Sequence, residues 1–134
     1  MKPGKSSAPP LRLKRLWLFV GILLLSAVAI VSLVPVPATG INDKWAHLLT
    51  YAMLSGWFAL LADSRRELMG YGVALIAYGA LLEWLQGQTG YRYAELADFY
   101  ANSLGVVCGG LVYASVIPGL FWRIDAALVR RLRA

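Results

Sequence analysis

The sequence predicts an all-α fold: an integral membrane bundle of four helices, followed by a C-terminal amphipathic helix at the interface. Three observations predict it. Hydrophobic residues make up 59% of the 134, and the mean hydropathy of +0.61 exceeds that of ordinary soluble domains. Apolar runs approach the roughly 20 residues a helix needs to cross a bilayer of about 30 Å. Proline-rich or charged breaks separate those runs, and such breaks stop helices. The net charge of +6 lies beside apolar runs and is not interleaved with stacking aromatics on a polar surface, which argues for membrane orientation and against nucleic acid. Cys108 is the single cysteine, so an intramolecular disulfide is excluded, and it reads as a small buried hydrophobe.

Residues 1–13, rich in Pro, Ser and Lys, read as a disordered basic tail, and residues 14–118 as one membrane domain. Helix 1 is expected over residues 16–34, whose 19 residues span about 28 Å at helical rise. A secretory signal is the rival reading, but the run exceeds the roughly 7 to 15 residues of a signal core, so an uncleaved span is favoured. Pro35 and Pro37 end the helix, and Asn42 or Asp43 can cap the next one. Helix 2 is expected over residues 44–62, with His47 and Tyr51 on one face. A charged loop leads to helix 3 over residues 67–86. Only the fifteen residues 68–82 precede Glu83, too few to cross alone, so Glu83 lies within the span or at its rim. A polar connector carries Arg92 and Glu95 to helix 4, residues 98–118, where Gly105 and Gly109 lie four apart and invite close helix packing. In the tail 119–134, Phe121, Ile124, Leu128 and Leu132 gather opposite most of the arginines, as on a surface-lying helix, with a frayed basic terminus the equal alternative.

Eleven of the 13 Lys and Arg fall on one side of this arrangement, and only Lys44 and Arg92 fall opposite. Both termini are therefore expected in the cytoplasm, in a multi-pass protein of the inner membrane. Parity then gathers Asp43, Lys44, His47, Glu83, Gln86, Arg92, Asp98 and Asn102 at one depth. Asp43 and His47, like Asp98 and Asn102, are four apart and so share a helix face.

Charged groups at membrane depth are costly and mark tasks or partners. Structurally, Asp43 and Asp98 can be helix caps and Glu83 an ion-pair partner of Arg92 or Lys44. Functionally, the mixture resembles anion-binding or acid–base equipment. As a ligand pocket, Arg92 and Lys44 would hold an anionic group, Glu83, Asp98, Gln86 and Asn102 would position it, and His47, Tyr51 and Asp43 would complete the lining. As an enzyme, Glu83, His47 and Asp98 are the candidate catalytic residues. As an interaction protein, it would assemble as an oligomer through the Gly105 and Gly109 face. No cofactor and no metal are expected: there is no His-Glu-x-x-His pattern, second histidine or cysteine pair. Membrane lipid is the expected partner.

Asp43-Lys44-Trp45-Ala46-His47 with Tyr51, then Glu83-x-x-Gln86, Arg92 and Asp98-x-x-x-Asn102-x-x-Gly105, resembles the VanZ-like family of small bacterial membrane proteins. The similarity covers about residues 42–112 and rests on the order and spacing of several motifs. It implies a multi-span helical protein of the cell envelope, some of whose relatives are linked with resistance to glycopeptide antibiotics. It brings no established catalytic residues.

Overall fold

The computed structural model describes residues 11–35, 42–116 and 118–133. The residue 1–10 tail and most of the proline connector lie outside them. Every regular element among the described residues is helical: α1 (Lys14–Leu33), α2 (Asp43–Leu61), α3 (Arg65–Gln88), α4 (Leu96–Val116) and α5 (Pro118–Leu132). α1 and α3 are long and apolar enough to cross a membrane.

Local chemistry sets the boundaries. Asn42, and not Asp43, caps α2: its side-chain oxygen accepts from the Lys44 amide at 3.0 Å. α3 starts at Arg65, earlier than expected, because Ser64 accepts from the Glu67 amide at 3.1 Å. The Glu67 carboxylate reaches back to the Asp63 amide at 2.8 Å, so both ends of this short motif satisfy free donors. At its other end α3 runs on to Gln88, and the turn that follows uses Gly90 at φ +79°. The connector is thus shorter than the sequence suggested.

α2 is the centre of the packing, with α4 its closest neighbour and α1 and α3 on its other sides. Tyr51, Leu54, Phe58 and Leu61 of α2 meet Leu75 of α3 and Val106 of α4 in the buried core. The α2–α4 approach depends on glycine. A Cβ on Gly109 would fall 2.6 Å from Ala52 Cα, and one on Gly105 would fall 3.0 Å from the Ala52 amide. Ser55 adds a hydrogen bond to the Val106 carbonyl at 2.6 Å. The glycine face is therefore filled by α2 of the same chain.

Two further expectations change. Cys108 is exposed on the outside of α4, because the inner positions of that helix go to Gly105, Val106, Gly109 and Gly110. The inward face of α5 is Phe121, Asp125 and Val129, each four residues apart, while Ile124 and Leu132 stay exposed. A buried acid draws that face inward: Asp125 accepts from the amides of Arg12 and Leu13 at 2.9 and 3.1 Å and from the Trp17 indole at 2.8 Å. Residues 12 and 13, part of the expected tail, are thereby held. Phe121 packs tilted against Trp17 and edge-on to Trp57, with centroids 5.1 and 5.7 Å away.

Candidate functional site

The start of α2, the end of α3 and the start of α4 meet at one end of the bundle, and the charged residues meet there too. Lys44, on the first turn of α2, lies 2.5 Å from both the Glu95 and the Asp98 carboxylates. Asp98 is 3% exposed, so the ammonium compensates a carboxylate that has almost no access to water. One turn along α2, His47 Nδ1 contacts Asn102 Oδ1 at 2.9 Å. Its Nε2 faces Asp43 at 3.7 Å and Asp98 at 3.8 Å, beyond direct hydrogen-bonding distance. Helical spacing produces this: Asp43 and His47 share one stripe of α2, while Asp98 and Asn102 share the facing stripe of α4.

Glu83 enters from α3, buried at 6% exposure. Its Oε1 accepts from the Glu95 amide at 2.7 Å, which fixes the connector over the cluster. Its Oε2 and the Tyr51 hydroxyl are buried with no hydrogen-bond partner among the described residues. Two bare polar atoms at the floor of a charged cluster are unusual, since buried polar groups are nearly always paired. At the rim, Arg92 meets Asp43 at 3.3 and 3.4 Å, a long and exposed pair.

Of the expected site residues, Asp43, Lys44, His47, Glu83, Arg92, Asp98 and Asn102 come together, with Tyr51 beneath them. Gln86 does not join them: its amide donates to the Ser32 carbonyl at 3.0 Å and ties α3 to the end of α1. Nearby, Tyr91 donates to the Leu33 carbonyl. The carbonyls of Ser32 and Leu33 in the last turn of α1 thus receive donors. Gly105 packs helices and lines nothing. Two carboxylates engage Lys44.

Sequence reasoning missed Glu95 as a member of the cluster, although it stands three residues before Asp98 and so near the same face. It also missed the opposite end, where Lys14 meets Asp63 at 2.5 Å and Glu67 at 3.1 Å and where Asp125 is buried. Asp125 could have been noticed as the only acid after Asp98. Beside the main cluster an apolar groove of about 280 Å³ runs between α2 and α4, lined by Trp45, Leu48, Tyr100, Ala101 and Leu104, with Lys44 at its head. Comparison of the chain with protein-family models, with curated proteins and with solved structures gives no match.

Proposed function

We propose that the chain is a VanZ-like, four-span protein of the bacterial inner membrane, with both termini in the cytoplasm, whose outward polar end binds the headgroup of an envelope component. A lipid-linked or peptidoglycan-related headgroup is the class that fits, and glycopeptide tolerance is the phenotype to examine. The observation that carries the proposal is a cluster of charges closed in below and open at its rim, surrounded by apolar surface. Phe19 and Ile30 of α1, Met53 of α2, Val73 of α3 and Leu111 of α4 are all more than half exposed, far more apolar surface than a soluble monomer tolerates. At the polar end Trp45, Trp84, Tyr93 and Tyr100 are exposed together, as in the aromatic belt of a membrane interface.

Arg92 is the arm that takes the anionic part of the headgroup. Its exposed pair with Asp43 is worth little, so a phosphate or carboxylate can replace Asp43 as its bidentate partner. Lys44 stays with Asp98 and Glu95 and keeps the cluster in place. An acyl chain attached to the headgroup lies in the groove below Lys44. The test is mass spectrometry of lipids that co-purify with the protein from native membranes. The wild type is expected to carry a specific anionic lipid that Arg92→Ala loses; identical lipid profiles in both would sink the proposal.

The bare Oε2 of Glu83 favours one alternative, a membrane enzyme in which Glu83 acts as general base with His47 and Asp98 beside it. That reading expects purified protein to alter the co-purifying lipid. It also expects Glu83→Gln to stay folded and bind the lipid without turnover.

A further inference from the structure

We infer that Asp43, His47 and Asp98 together form a binding site for a first-row divalent transition cation such as zinc or manganese. One nitrogen and two carboxylate oxygens converge there, all within 4.8 Å of one another. An amide oxygen only accepts, so its 2.9 Å contact with Asn102 Oδ1 puts the proton of a neutral His47 ring on Nδ1. Nε2 then presents its lone pair to two carboxylate oxygens at 3.7 and 3.8 Å. Lys44 and Arg92 hold Asp98 and Asp43 from outside, and a cation among the three donors would draw them together. Donors about 2.0 to 2.2 Å from a tetrahedral zinc stand roughly 3.3 to 3.6 Å apart, close to the 3.7 and 3.8 Å from His47 Nε2 to the two carboxylates. A histidine that ligates through one nitrogen nearly always donates its other N–H to an oxygen, which is the role Asn102 fills.

A second observation is independent of these three groups. Glu83 is 94% buried, given its 6% exposure, and its Oε2 has no hydrogen-bond partner among the described residues. Its Oε1 accepts from the Glu95 amide at 2.7 Å, and the Glu95 and Asp98 carboxylates share Lys44, so Glu83 belongs to the same enclosure. Four carboxylates, Asp43, Glu83, Glu95 and Asp98, gather against two fixed cations, Lys44 and Arg92; the side chains of Asp43 and Glu95 reach solvent at 52% and 54% exposure, while Asp98 and Glu83 are buried. A divalent ion adds positive charge where the buried Asp98 faces His47. The imidazole selects a zinc- or manganese-like ion over magnesium or calcium, which take oxygen ligands. Three protein donors leave a coordination position for water or an incoming oxygen.

The test uses the full chain in nanodiscs of zwitterionic lipid, stripped with chelator and titrated with cobalt(II) as a spectroscopic probe, then with zinc. The wild type is expected to give visible ligand-field bands at one cobalt per chain, displaced by zinc, and to unfold at a higher temperature with zinc than without. Asn102→Ala, which removes only the partner of His47, should weaken binding by about 10- to 100-fold. His47→Gln and Asp98→Asn should weaken it more, while Glu67→Gln at the opposite end should bind like the wild type. Wild-type protein that gives no bands and retains no zinc overturns the inference, as does zinc binding that survives the combined His47→Gln and Asp98→Asn change. The inference does not rest on the headgroup proposal: its probe is the metal alone, and the lipid of the nanodisc carries no net charge.

Discussion

Asp125 shows how much one residue contributes here. Its carboxylate closes three donors from the start of α1, and at 1% exposure it has no water to replace them. Asp125→Ala leaves two part-buried amides and an indole N–H without their acceptor, at no more than about 1 to 3 kcal/mol for each group. Asp125→Asn keeps one acceptor oxygen and should cost less; thermal unfolding in detergent would rank the two. At the other end, Lys44 and Arg92 carry the same charge in different settings. Lys44→Met strands the buried Asp98 and should destabilise by about 2 kcal/mol, below the cost of breaking a fully buried pair because the lysine side chain is 38% exposed. Arg92→Ala breaks an exposed pair and should cost less than about 1 kcal/mol. Arg92 variants therefore stay folded and report on binding, whereas Lys44 variants report mainly on stability.

Among the helices, the contact of α2 with α4 is the least forgiving. Gly109→Ala forces a methyl group into the Ala52 backbone, so the helices must separate, at about 1 to 3 kcal/mol. Gly110→Ala meets only the Ser55 hydroxyl at 3.1 Å and should cost less. Gly70→Ala meets nothing within 4 Å and should be neutral or stabilising by up to about 1 kcal/mol, since alanine is the better helix former. Chemical or SDS unfolding of the three variants gives the order; equal losses at all three would contradict this packing. The four-residue glycine spacing was legible in the sequence, but its partner was not. Small residues show that something approaches closely, and any helix can answer that description. The same limit applies to α5: its apolar periodicity was visible, yet a buried aspartate turned the helix about its axis, and hydropathy counts an aspartate as outward-facing.

Over the whole molecule, the up-and-down path places residues 45, 84 and 93 at one end and residue 64 at the other. In a Cys108→Ser background, single cysteines at Tyr93 and Ser64 should react with a membrane-impermeant maleimide from opposite sides of sealed vesicles. Cysteines replacing Trp45 and Trp84 should share the side of Tyr93. Cys108 itself, exposed midway along α4 among apolar residues, should react with a lipid-soluble reagent and not with the impermeant one. Labelling of positions 64 and 93 from the same side would refute the path.

The sequence alone determined the four long helices, their order and the end of the bundle at which Asp43, His47, Glu83 and Asp98 gather, because hydropathy, capping and alternation of direction depend only on residues near one another in the chain. It could not tell that Lys44 is occupied by Asp98 and Glu95, that Gln86 turns to α1, or that α5 closes over the start of α1 through Asp125. Those outcomes depend on which face each helix turns to its neighbours. That rotation follows from close packing among residues far apart in the chain, such as Gly109 against Ala52, and periodicity carries no record of it.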